Sequence, residues 1–200
     1  EFERGGGNTG AGPLVAAMNK AVNYADRNGV LVVSAAGNSA LDLDHTGSVI
    51  AVPAQSGSGI AVSATGPEGF GLGATNFRRI SSYTNYGTSA ITVAGPGGDA
   101  TLPGEDPCTK LTATGAPLTR PCWVFDLVLS TSRAGYTWAA GTSMAAPAVS
   151  AVAALIRQAN PGISLGALKT RLAQSADDEG KQGRDPLYGR GFVNARKAVQ

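Results

Sequence analysis

The chain's 200 residues suffice for one well-buried domain or at most two small ones. With 42% hydrophobic and only 15% charged residues, and 28 glycines, the composition describes a compact globular protein with many tight turns and excludes a disordered one. A net charge of +2 with no stripe of Lys or Arg argues against nucleic acid as a partner, and no apolar run approaches the length of a membrane span.

The chain opens Glu1-Phe2-Glu3-Arg4 with neither an initiator Met nor a signal peptide, so 1–4 reads as a processing or cloning remnant. Gly5-Gly6-Gly7-Asn8-Thr9-Gly10 satisfies G-x-G-x-x-G. The dinucleotide fingerprint requires a strand ahead of its glycines, however, and only four residues stand there. Over 13–28, apolar residues at Leu14, Val15, Ala17, Met18, Ala21, Val22 and Ala25 have helical spacing, with Pro13 suited to the first turn and Gly29 to the stop. The run Val30-Leu31-Val32-Val33-Ser34-Ala35-Ala36 then predicts a central strand of a parallel sheet, buried on both faces. It ends at Gly37-Asn38, and in open α/β sheets ligands gather at the carboxyl ends of strands. Taken alone, Asn38 reads as a turn residue.

The loop Asp42-Leu43-Asp44-His45 holds the chain's one histidine. A calcium ion there would use the oxygens of Asp42 and Asp44, and a general base would use His45; a solvated polar loop needs neither. Short β-type runs are predicted at 48–52, 60–64 and 90–94, the last leading into Gly95-Pro96-Gly97. The connection over 99–133 holds Cys108 and Cys122, 14 positions apart. One His and this spacing do not make a paired-Cys zinc site, so no metal ligand set is assigned. A disulfide stapling an extended surface loop is the favoured reading, and with it an extracellular or periplasmic setting. Two unpaired thiols in a cytosolic protein are the alternative.

The remaining signal is the densest. Tyr136-Thr137-Trp138-Ala139-Ala140 reads as a strand end, Gly141 as a sharp turn, and the Ala/Val-rich run to Asn160 as a helix with Ser143 in its first turn. First-turn amides have no intrahelical partner and carry the positive end of the helix dipole, so a serine placed there sits beside donors suited to an oxyanion. Ser164 looks like the cap of a further helix carrying Leu165, Leu168 and Leu172.

Gly141-Thr142-Ser143-Met144-Ala145-Ala146-Pro147 closely resembles the nucleophile motif of the subtilisin-like serine proteases, and Ala35-Ala36-Gly37-Asn38 resembles their oxyanion-hole segment. Tyr188-Gly189-Arg190-Gly191-Phe192-Val193-Asn194 is similar to the segment that closes their catalytic domain, so the likeness runs over about 5–200. The resemblance implies a single α/β domain with a mainly parallel sheet flanked by helices, incomplete on its N-terminal side. It implies Ser143 as nucleophile and Asn38 with the Ser143 backbone N–H as oxyanion donors. It also implies Gly5 and Gly6 as a strand end beside the peptide cleft, and Ala35, Ala36, Gly37 and Pro53 as the floor of the specificity pocket. The substrate is then a polypeptide, the chemistry needs no cofactor, and a structural calcium ion fits the family without an identifiable site. The family's Asp and His motifs lie ahead of the Gly-rich strand, and neither occurs in this chain, so an apolar sheet edge near 30–36 is expected to be exposed and prone to pairing with another chain. The expectation is a serine endopeptidase that needs an N-terminal companion supplying both, since a serine without a base is a poor nucleophile. The alternatives are a non-catalytic peptide-binding fragment, and a weak esterase-like hydrolase using His45.

Overall fold

The computed structural model describes residues 2–3, 11–47 and 49–200. In chain order, β1 (Phe2–Glu3) precedes α1 (Ala11–Arg27), which is followed by β2 (Val33–Ala35) and β3 (Val49–Ile50). Next come β4 (Ile60–Thr65) and β5 (Val93–Pro96), then two hairpins, β6–β7 (Pro107–Leu111 and Pro117–Pro121) and β8–β9 (Val128–Ser132 and Gly135–Ala139). Helices α2 (Thr142–Ala159), α3 (Leu165–Gln174) and α4 (Ala195–Val199) complete the chain.

The parallel sheet has the order β2-β4-β5. β4 lies in the centre, pairing Val33↔Ile60 and Ala35↔Val62 on one side and Val62↔Val93 and Ala64↔Gly95 on the other. All six β4 residues are buried, as a strand covered on both faces requires. Helix α2 lies across the sheet through Ala145, Val149, Val152, Ala153 and Ile156, which join Ile60, Val62, Val93, Leu168 and Leu172 in the main core. Burying each large aliphatic side chain there contributes about 1.5–3 kcal/mol. The helix comes close because Gly95 has no side chain: a Cβ there would lie 3.0 Å from the Ala145 carbonyl oxygen and 3.1 Å from Val149 Cγ2. Ser164 caps α3 by accepting the Ala167 N–H at 3.2 Å, as its position before Leu165 predicts.

Four sequence expectations change. The strand expected over 30–36 shortens to β2 and lies at the sheet edge, which is the exposed edge expected where the N-terminal part is missing. Nothing among the described residues pairs on its outer side, so Val30 is 55% exposed. Over 48–52 only β3 forms, paired antiparallel with β1, and the strand expected at 90–94 begins three residues later, at Val93. The connection over 99–133 is not an irregular loop. Thr112 to Ala116 turns the β6–β7 hairpin, with the Gly115 N–H donating to the Thr112 carbonyl at 2.9 Å. A 3-10 turn (Cys122–Asp126) then leads to β8. The expected disulfide between Cys108 and Cys122 is present, with Cα atoms 4.8 Å apart.

Candidate active site

Ser143 stands where strand β9 hands over to α2. The preceding Gly141 is the N-cap, at φ 156°, and donates its N–H to the Gly97 carbonyl at 3.0 Å. Few residues other than glycine adopt that angle. Met144 and Ala145 both donate to the Gly141 carbonyl, at 2.9 and 3.3 Å, which closes the first turn. The Ser143 N–H and hydroxyl have no hydrogen-bond partner among the described residues, and the residue is exposed. An open donor and an open hydroxyl therefore share one helix start.

Asn38, just beyond β2, is brought to the same place across 104 positions of sequence. Its Oδ1 accepts the Thr142 N–H at 2.9 Å and the Thr142 hydroxyl at 2.8 Å. The Thr142 Oγ1 in turn accepts the Gly37 N–H at 3.1 Å. Both bonds to Asn38 enter its oxygen, so its Nδ2 faces the other way. One point beside Gly141, where a Cβ would sit, lies 3.5 Å from Asn38 Nδ2 and 3.6 Å from the Ser143 nitrogen. Met144 Sδ is also 3.5 Å from that point, so two N–H donors and a thioether surround one space at the helix start that carries Ser143.

Of the other residues singled out by sequence, Ala35 and Gly37 are half-buried and Ala36 is fully buried, all leading into Asn38. Pro53 is half-buried in the turn between β3 and β4, after a cis peptide bond from Val52, and no hydrogen bond joins it to that segment. Gly5 and Gly6 lie outside the described residues. His45 sits in an exposed loop with its Nδ1 2.8 Å from Asp42 Oδ2. Hydrogen bonding to Asp42 raises the imidazole above its usual pKa and lowers the Asp42 carboxyl below its own. Asp44 accepts from the Ser89 N–H at 3.0 Å and also from the Ser89 hydroxyl. No group of three His, Cys, Asp or Glu side chains among the described residues is arranged to hold a metal ion.

Three residues of this centre carry no sequence signal of their own role. Thr142 belongs to the nucleophile motif, and it is fully buried and ties Asn38 to the helix start. Tyr83 has its hydroxyl 3.0 Å from the Gly97 carbonyl oxygen and 2.7 Å from that of Gly98, under the strand end that receives Gly141. Burial pushes its phenol up to about 12, so it stays a neutral donor at physiological pH. Asn85, in Tyr83-Thr84-Asn85-Tyr86-Gly87, is fully buried against the Asn38 loop.

The subtilase family description matches residues 3–191. Alkaline elastase YaB from Bacillus sp. (strain YaB) is 32% identical over 186 residues, covering 92% of this chain and 37% of that protein. Subtilisin BL from Lederbergia lenta is also 32% identical over 186 residues, covering 92% of this chain and 52% of its own length. A lanthipeptide protease of known crystal structure superposes with a TM-score of 0.74 at 27% identity, covering 100% of this chain and 58% of that one. The chain therefore spans about half, or less, of the curated relatives it matches.

Proposed function

This chain belongs to the subtilase family, and on that premise we propose that it carries the nucleophile and oxyanion hole of a serine endopeptidase. Ser143 Oγ attacks the scissile carbonyl carbon, and the carbonyl oxygen, now negative, enters the space between Asn38 Nδ2 and the Ser143 N–H. The serine proton passes to a histidine base and from it to the leaving amine, which departs as the acyl-enzyme forms on Ser143. Water then releases the acid and restores the serine. These steps use protein groups alone. The observation that carries the assignment is the pair of donors 3.5 and 3.6 Å from one point beside Gly141.

The histidine and its orienting aspartate come, in this reading, from a polypeptide outside these 200 residues. Two observations support that. The outer edge of β2 is unpaired among the described residues, and Val30, Leu31 and Val33 there line an open apolar groove with Ala153, Ala154 and Leu168. Strands of a companion segment would cover it, as an exposed apolar edge requires. The match to relatives about twice as long is the second. The buried disulfide favours a destination outside the cytosol.

A non-catalytic peptide-binding role is the second reading, favoured by a Ser143 hydroxyl that has no base among the described residues. A fluorophosphonate probe separates the two. The protease reading expects labelling at Ser143 in the full protein that carries the Asp and His segment, and none after Ser143→Ala. A full protein that turns over peptides but resists the probe, or one that does neither, would overturn it.

A further inference from the structure

Asn38 is held by two different clamps. Thr142 fixes the oxygen of its side chain. The other clamp is Asn85, which takes no part in the chemistry described above. Its contacts fall on both sides of Asn38 along the backbone. Asn85 Nδ2 donates to the Ala36 carbonyl at 3.0 Å and its N–H donates to the Gly37 carbonyl at 2.9 Å. Its Oδ1 accepts the N–H groups of Ser39 and Leu41, both at 3.0 Å. Residues two before, one before, one after and three after Asn38 are thereby tied to one fully buried side chain and its amide.

The loop is bent to meet it. Ala40 has φ 51°, the left-handed region that non-glycine residues avoid, and that turn aims the N–H groups on either side of it at the same oxygen. The segment around Asn85 continues the attachment. The Ala40 N–H donates to the Tyr83 carbonyl at 2.8 Å, Leu43 N–H to Tyr86 at 2.8 Å, and Tyr86 N–H back to Leu41 at 3.0 Å. A carboxamide suits this place because it presents a donor and an acceptor in one plane. An oxyanion hole works only if its donors are already aimed before charge develops.

We propose that Asn85 is the positioning residue of the oxyanion hole, acting through the backbone of 36–41 to aim Asn38 Nδ2. The proposal rests on the protease reading, and its test separates the two. Turnover of a chromogenic peptide by the full protease is measured for Asn38→Ala, Asn85→Ala and the double variant. Asn85→Asp is added because it keeps the volume and the acceptor while losing the donor to Ala36. With Asn38 present, either Asn85 change lowers kcat about tenfold or more and leaves KM within about threefold, the pattern of a group felt in the transition state. With Asn38 already replaced, the same change costs less than about twofold, because the aimed group is gone. In hydrogen exchange, Asn85→Ala, which removes the acceptor, speeds the Ser39 and Leu41 amides and leaves those of β4 protected.

An equal factor in both backgrounds would overturn the proposal while leaving the protease reading intact, since it would mark a residue that supports folding only. Unchanged Ser39 and Leu41 exchange would overturn it as well. If Asn38→Ala itself left kcat untouched, the oxyanion assignment would fall, and this proposal with it.

Discussion

In the parallel core, β4 buries all six of its residues and α2 adds Val149, Val152 and Ile156, whereas the four strands of the two hairpins bury only Cys108. The hairpins are held at their roots instead. The bridge from Cys108 to Cys122 packs with Phe125 against Phe70, Leu102, Leu118 and Trp138. Asp126, 1% exposed, accepts the Gly69 and Phe70 N–H groups at 2.8 and 2.7 Å. Asp99, equally buried, accepts from Ser82 N–H and hydroxyl and from Arg79 Nη2 at 2.8–2.9 Å. Burial holds one region, and a covalent link with charge-assisted bonds holds the other. The nucleophile turn has a foot in each: β9 arrives from the hairpins and α2 leaves into the core. A tight α2 holds the helix start that carries Ser143, while the hairpins need only deliver Gly141 to Gly97.

If that division is right, the largest stability loss follows from emptying the core. Ile156 is fully buried against the sheet, so Ile156→Ala is expected to cost about 2–5 kcal/mol, read as a lower urea midpoint with an unchanged slope. A loss under about 1 kcal/mol would break the comparison. Replacing both Cys108 and Cys122 by Ser releases a link across 14 positions, for which the chain-entropy account gives about 3 kcal/mol at most. The loss should be local: amides of β6 and β7 exchange faster, while β4 stays protected. Faster exchange throughout β4 would show the hairpins and core to be one cooperative unit. In the unaltered protein both thiols should resist alkylation until a reductant is added.

Much of this arrangement can be read along the sequence, because it is written in local terms. The helical spacing behind Ser143, the cap at Ser164 and the apolar run of β4 depend on neighbours in the chain. The likeness to the subtilases rests on contiguous motifs at Asn38 and Ser143. What the local sequence does not carry is set by distant partners. Val30 to Val33 has the composition of a central strand, and its open side is legible only through the resemblance, which implies strands missing ahead of it. The hairpin over 107–121 reads as a loop because its Thr, Pro and Gly lack an apolar alternation; a disulfide and exposed cross-strand pairs such as Thr109 with Thr119 stand in for one. Asn85 sits 44–49 positions from the atoms it binds, so within its own Thr-Asn-Tyr-Gly stretch it is indistinguishable from a turn residue.

Charged anchoring is not confined to the hairpins, and pH tests how far it extends. Asp177, in the turn after α3, accepts from Arg78 Nη2 and Lys197 Nζ at 2.6 Å and from Asn194 Nδ2 at 3.0 Å. Lys197 first, then Asn194 and Arg78, hold its carboxyl below the usual 3.8. A carboxyl depressed in the folded state adds stability that is present above its ordinary pKa and disappears as pH falls through the folded one. Stability of the unaltered chain should therefore drop as pH is lowered below about 4, and Asp177→Asn should flatten that drop while costing stability at neutral pH. An identical acid slope in both proteins would mean that the cluster is solvated and adds nothing.

The smallest effect is expected at His45, and it bears most directly on how the chain would work alone. With Asp42 at 2.8 Å, this imidazole has the orienting carboxylate that a general base requires. What it lacks is the serine. The His45 side chain is 83% exposed, its loop is tied to Tyr86 and Ser89, and no hydrogen bond joins it to Ser143. A base must lie within hydrogen-bond reach of the proton it takes, or one water away. His45→Ala should therefore leave fluorophosphonate labelling of Ser143 and peptide turnover within experimental error. If labelling vanished on that change, and returned with imidazole added in solution, the base would lie within this chain. No companion segment would then be needed for the chemistry, and the open edge of β2 would have to be explained by something else.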